Sequence, residues 1–288
     1  MNLPKPQPAQ PRRSKFRSPV EALRADWPLY VFEAAELAAF MISACAVTVL
    51  LFDPAVTPVK NPWFARSLMG LAMGLTAVLI IKSPWGRRSG AHFNPAITFT
   101  FYRLGKIGPY DAVFYIVSHF AGAIAGVGIA ALALGPRLAI PQVDYAVTIP
   151  GVGGVAGAFA AETFMAALLM AVVLVTSNQR RLAPYTTYLV GFLIANYILF
   201  LAPVSGFSIN PARTVGSAVF AHVWTALWLY FAAPLLGMMS AAEAYTRIEN
   251  SPATQPGIRH YFTHRHLIQR NVLPDERPTR AAGGPPPF

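Results

Sequence analysis

The chain is short of charge. Only 12% of its 288 residues are Asp, Glu, Lys or Arg, while 55% are apolar and the mean hydropathy is +0.44. Soluble domains carry about 25% charged residues, so a pair of ordinary soluble domains is excluded. One long apolar bundle with polar ends fits better. Cysteine is almost absent: Cys45 stands alone, which excludes an intrachain disulfide, and its apolar surroundings read as packing. No His, Asp, Glu and Cys residues gather at ligand spacing, so neither a metal site nor an intramembrane enzyme is expected. The first 28 residues hold six prolines and six Lys/Arg and no apolar run, so no signal peptide is read there.

Long apolar runs are what the sequence does have. Six segments read as spans: 30–52, 66–83, 110–134, 155–177, 183–202 and 223–245. Helices of that size cross a hydrocarbon core of about 30 Å at about 1.5 Å per residue. Two further stretches, 93–102 and 209–220, are too short to span. A half-length helix is tolerated at membrane depth only when buried in protein or lining a water-filled cavity. The expectation is an all-α membrane protein of six transmembrane helices and two half-helices. A basic, Pro-rich tail (1–29) precedes the bundle (30–246) and a second polar tail (247–288) follows it.

Basic residues set the orientation. With both ends inside, the segments 1–29, 82–109, 178–182 and 246–288 hold 19 of the 23 Lys and Arg. That bias satisfies the positive-inside rule and places both termini in the cytoplasm, in the plasma (inner) membrane. It also accounts for the net charge of +11 without nucleic acid: the basic flanks set topology beside anionic lipid.

The two halves, 30–134 and 155–246, repeat. Asn94-Pro95-Ala96 and Asn210-Pro211-Ala212 each follow a glycine and a short lead-in, and Ala34-Ala35-Glu36 resembles Ala160-Ala161-Glu162. Three spans separate equivalent helices, so the second half sits upside down relative to the first, with a site expected at the midplane. The motif's chemistry is direct. Pro is favoured at the first helical position, where its missing N–H has no intrahelical partner. Asn before it is a good N-cap whose amide NH₂ remains free to donate. Both helix N-termini also carry partial positive charge. A cation is repelled at such a midpoint and a neutral solute is not. Glu36 and Glu162 read as acceptors for backbone N–H groups of the loops before the half-helices. Glu33, one turn from Glu36, reads as solvated near the inner end.

These residues resemble the aquaporins, the major intrinsic protein family. The likeness covers about 30–246 and rests on Ser89-Gly90-Ala91-His92-Phe93-Asn94-Pro95-Ala96, on Gly206-Phe207-Ser208-Ile209-Asn210-Pro211-Ala212-Arg213, on the two glutamates and on Pro234 in the last span. It implies a homotetramer with one pore per subunit, no cofactor, and passage of water and small neutral solutes across the lipid bilayer. Selectivity in such pores depends on diameter, lining hydrogen bonds, an Arg and half-helix dipoles.

The resemblance also implies an outer filter at Met73, Ile198, Phe207 and Arg213. Arg213 matches the family's filter arginine. Ile198 stands where the water-selective pattern has a His, and Phe207 where the glycerol-conducting branch tends to place an aromatic. Thr214 after the Arg and the pair Tyr230-Phe231 point back toward water. The expectation is water conduction with some passage of small neutral solutes. A glycerol-type facilitator is the alternative, and a secondary transporter, which would need a coupling site, is a more distant one. His92 reads as a pore-side or loop-supporting residue, and His119 as a packing residue with one hydrogen bond. His260, His264 and His266 read as solvated tail residues. Gly70…Gly74 and Gly122…Gly126 read as close-packing helix faces.

Overall fold

The structure is a computed structural model that describes residues 18–57 and 61–249. Residues 1–17 and 250–288, with most of both expected tails and the three tail histidines, lie outside the described residues. Nine α-helices are found there: α1 (Pro19–Phe52), α2 (Pro62–Lys82), α3 (Pro84–Ser89), α4 (Pro95–Arg103), α5 (Pro109–Leu134), α6 (Gly154–Asn178), α7 (Thr186–Ser205), α8 (Pro211–Ala221) and α9 (Leu229–Glu249). The described residues contain no strand.

A chain with 26 prolines makes a poor candidate for a helical bundle until their places are read. Six of the nine helices carry Pro in their first turn, where the missing N–H costs no helical bond. Before five of these prolines stands a capping side chain, Ser18, Asn61, Ser83, Asn94 or Asn210, each accepting a backbone N–H of the first turn.

Five helices are long and apolar enough to cross a membrane by length and composition. The sixth spanning element, α9, has 21 residues but carries Tyr230, Glu243 and Tyr245 and is less apolar. Its place follows from packing. The most extensive pairings are α1 with α5, α6 with α9, and α2 with α7. The first two are repeat-related and the third joins the repeats: a Cβ on Gly74 would lie 2.5 Å from Gly191 O, and one on Gly191 would lie 2.8 Å from Gly74 O. Such reciprocity is what a two-fold axis between α2 and α7 requires.

Helix bounds differ from the sequence reading mainly at the amino end. The first helix starts at Pro19, not near 30, because Ser18 and Pro19 form a cap and first turn. Residues 19–29 are therefore helical rather than tail. With 34 residues α1 is about 51 Å long, so its first turns extend beyond a core of about 30 Å. The last span likewise begins at Leu229 rather than 223. All five tryptophans are exposed: Trp63 and Trp85 in the first turns of α2 and α3, Trp224 and Trp228 on the connection before α9, and Trp27 in the extended first part of α1, as anchors at the two membrane surfaces are. Between them the outer face is apolar, including Leu79 and Leu132.

Close helix approach within each repeat rests on glycine. A Cβ on Gly122 of α5 would collide with the carbonyl oxygen of Ala34 on α1, and one on Gly237 of α9 with that of Thr163 on α6. We predict that Gly122→Leu separates α1 from α5 at a cost of about 1–3 kcal/mol or more. The thermal midpoint in detergent should fall, with loss of monodisperse protein on size exclusion. A wild-type midpoint would show that this contact is not needed.

Candidate functional site

Two ten-residue segments enter the centre of the bundle from opposite ends. Their shared pattern is Ser-Gly, three residues, Asn-Pro-Ala, one residue, Thr: Ser89 to Thr98 and Ser205 to Thr214. Both lead-ins use left-handed backbone. Gly90, Ala91 and Phe93 have φ of 100°, 51° and 28°, and Gly206, Phe207 and Ile209 have 76°, 52° and 47°. Non-glycine residues in this region cost about 1–3 kcal/mol each and persist only when their surroundings hold them.

Buried carboxylates do the holding. In the second repeat, Glu162 on α6 accepts from Ser205 Oγ at 2.7 Å, Ser208 N at 2.9 Å and Ile209 N at 2.5 Å. In the first repeat the task is divided. Glu33 accepts from His92 N at 3.0 Å, Phe93 N at 2.6 Å and His119 Nε2 at 2.8 Å, while Glu36 takes only Ser89 Oγ at 2.9 Å. Tyrosines complete the frame symmetrically: Tyr115 OH donates to Ser89 O and Tyr230 OH to Ser205 O.

This corrects the pairing read from the sequence. Glu33 is not solvated; it is fully buried. It, rather than Glu36, corresponds to Glu162, since both receive the two N–H groups just before the motif's Asn. The helix contacts agree: Gly122 abuts Ala34 and Gly237 abuts Thr163, in each case the residue after the bonded glutamate. The Ala-Ala-Glu likeness is therefore three residues out of register. Glu36 is an additional buried acid, and its Oε2 has no partner.

His92 supports the first lead-in from a buried position, 3% exposed. Its Nδ1 lies 2.8 Å from Thr98 Oγ1, and its ring packs against Phe101 and Tyr115. His119 makes one hydrogen bond, to Glu33, and its Nδ1 has none.

The two asparagines meet. Asn94 Oδ1 accepts from Ala96 N, and Asn210 Oδ1 accepts from Ala212 N and Arg213 N. Each amide then crosses to the other lead-in: Asn94 Nδ2 donates to Ile209 O and Asn210 Nδ2 to Phe93 O, both at 2.8 Å. Pro95, Ala96, Pro211 and Ala212 form the buried first turns behind them. Met73, Ile198 and Phe207 belong to one buried apolar cluster that also contains Ala212, and Met73 is the most deeply buried of the three. Arg213 follows Ala212 on α8, is 7% exposed, and its Nη1 is buried with no hydrogen-bond partner. Among the described residues no group of three His, Cys, Asp or Glu could hold a metal ion.

The class so defined is an inverted-repeat helical bundle with two half-helices joined cap to cap at its centre. Residues 30–245 match the major intrinsic protein family, and the chain belongs to it. It is 33% identical over 206 residues to aquaporin NIP6-1 of Arabidopsis thaliana, covering 70% of this chain and 65% of that protein. It is 35% identical over 182 residues to the glycerol uptake facilitator protein-like 6 of Lactiplantibacillus plantarum, covering 60% of this chain and 81% of that one. The match to the Arabidopsis protein thus spans a little under two thirds of its length. In fold it is similar to the X-ray structure of the aquaglyceroporin from Plasmodium falciparum, with a TM-score of 0.69 at 19% identity, covering 82% of this chain and all of that one.

Several supporting residues escaped the sequence reading. The signal for Tyr115 and Tyr230 was present: each precedes a close-packed glycine, Gly122 or Gly237, by seven positions. The Thr98 and Thr214 repeat was legible in the same way.

The two first-repeat acids should behave differently. Glu33→Gln turns an acceptor of three N–H groups into a side chain with its own donor among them, and should cost on the order of 3–5 kcal/mol. Glu36→Gln keeps an acceptor for Ser89 and should stay within about 1 kcal/mol. Thermal unfolding in detergent checks both. Equal loss, or greater loss at Glu36, would restore the Ala-Ala-Glu register.

Proposed function

We propose that the chain forms a passive transmembrane pore for water and small neutral solutes that turns back protons and ions. The reading rests chiefly on the reciprocal cap pair: Asn94 Nδ2 on Ile209 O and Asn210 Nδ2 on Phe93 O. An amide NH₂ has two hydrogens. One binds the opposite carbonyl, and the second is left to donate to a solute oxygen. Both half-helix N-termini add partial positive charge at the same point. Cations are repelled there, while water and other neutral solutes are not.

The lead-ins supply the acceptors. Glu33 and Glu162 occupy the N–H edge of each, which leaves the opposite, carbonyl edge for solute hydrogens. A row of acceptors and two central donors replaces part of the hydration that a solute gives up. The chain performs no bond chemistry on it and needs no cofactor. The subunit sits in the plasma (inner) membrane with both termini cytoplasmic, as a homotetramer with one pore each.

Arg213 serves as the outer filter. A charge held in an apolar setting is costly and marks function, and its unpartnered buried Nη1 supports a donor directed at passing solute. Ile198 and Phe207, with Met73 of the same apolar cluster, add the apolar wall. Such an amphipathic ring favours a second reading, a facilitator of glycerol-like solutes, because Ile198 offers no hydrogen bond where a water-selective ring would have a His. The relatives include proteins called an aquaporin and a glycerol uptake facilitator.

Two substitutions test the filter in proteoliposomes. Arg213→Val removes the charge and widens the ring, so proton leak or larger-solute flux should rise while water still flows. Unchanged selectivity at equal protein content would remove Arg213 from the filter. Ile198→His should cut glycerol and urea permeability by about tenfold, since a site lined by polar groups rejects a poorly matched solute strongly. If the wild type passes neither solute and the substitution changes nothing, the protein is a strict water channel despite lacking that His.

A further inference from the structure

We propose that Thr148, on the connection between α5 and α6, is a positioning residue for the outer constriction. The proposal rests on reading Phe207 and Arg213 as part of that constriction. Thr148 is 3% exposed and donates from Oγ1 to Thr214 Oγ1 at 3.1 Å. Ser208 Oγ lies 2.5 Å from Thr214 Oγ1 and donates to Asn210 O at 2.9 Å. Each hydroxyl has one hydrogen. Ser208 uses its own on Asn210 O, so Thr214 must be the donor to Ser208, and Thr148 must donate to Thr214. The chain of bonds therefore runs one way, from the outer connection through Thr214 and Ser208 to the carbonyl of the pore asparagine.

Comparison of the repeats shows why the connection is needed. In the first repeat the place of Ser208 is taken by His92, which bonds Thr98 just as Ser208 bonds Thr214. The imidazole fills its site and packs on Phe101 and Tyr115. Serine is far smaller, and in the second repeat the connection supplies the polar contact that completes the network. A Cβ on Gly206 would lie 3.0 Å from both Thr148 Cα and Ile149 N. Gly151 N donates to Val204 O and Val152 N to Pro203 O, each at 2.9 Å. The segment is thus bonded to residues 203 and 204 and packed on Gly206, next to Phe207.

Its own backbone is strained. Asp144, Tyr145 and Ala146 have φ of 39°, 51° and 52° in succession, and such residues hold only when contacts fix them. Tyr145 stacks on Phe220 of α8 at 6.0 Å between ring centroids. Thr148 and Tyr145 are therefore two attachments of one strap to the helix that carries Arg213. Loss of the Thr148 hydroxyl frees Thr214 and Ser208 to reorient, and with them the left-handed lead-in that presents Phe207.

The test compares glycerol-to-water permeability ratios in proteoliposomes for the wild type, Thr148→Val, Thr148→Ala, Thr148→Ser and Arg213→Val. Thr148→Val should shift the ratio about fivefold, the worth of one ordinary hydrogen bond, and Thr148→Ser should keep the wild-type ratio. If the valine variant does not insert, alanine carries the same expectation. Wild-type ratios in the variants lacking the hydroxyl, or a serine variant shifted as far as they are, would overturn the proposal. Arg213→Val separates the two readings. If it shifts selectivity and Thr148 does not, only this inference fails. If Arg213→Val shifts nothing, the filter reading fails and this inference falls with it.

Discussion

Backbone polar groups cannot be left bare at membrane depth, and the centre of this protein is arranged around that constraint. In hydrocarbon each unsatisfied N–H or C=O costs several kcal/mol. Two half-helices that stop midway expose such groups twice over. The structure answers with three sets of bonds. Asparagine side chains cap the helix starts, buried glutamates accept the N–H groups of the lead-ins, and each asparagine amide donates to the carbonyl before the other. The last set joins the repeats, because neither lead-in is complete without the opposite asparagine. Helix packing, glycine contacts and the Tyr115 and Tyr230 bonds hold that centre in place.

The repeats solve one problem with unequal parts. A single carboxylate, Glu162, gathers a hydroxyl and two N–H groups in the second half, whereas Glu33 and Glu36 divide them in the first, with His119 added. Four positions after Tyr115 stands His119, and four after Tyr230 stands Pro234, which has no side-chain donor. The first-repeat lead-in is thereby tied to two acids and an imidazole. The second-repeat one is tied to one acid and, through Ser208 and Thr214, to the connection before α6.

Much of this was legible in the sequence because it depends on local chemistry. The spans followed from apolar runs, and the half-helices from length and the duplicated Asn-Pro-Ala. Register was harder. Ala-Ala-Glu recurs as a tripeptide, and nothing local says that Glu33, one turn earlier, faces α5 while Glu36 faces Ser89. The hydrogen bonds to His92 N and Phe93 N decide it, and the approach of Gly122 to Ala34 agrees. The early start of α1 was signalled by Ser18-Pro19 but masked by the polar residues that follow. Thr148 gave no signal, since its partner Thr214 lies 66 residues away and it follows a strained turn that no turn motif announces.

The central claim is that a fixed pair of donors at the midpoint passes neutral molecules without a conformational cycle. Stopped-flow light scattering on proteoliposomes tests it most directly. Shrinkage is followed against rising gradients of an impermeant osmolyte, with and without a pH difference across the membrane. A passive pore predicts water flux proportional to the gradient, without saturation and indifferent to the pH difference. Flux that saturates, or that follows the proton gradient, would mean the bundle moves through a transport cycle and would contradict the account.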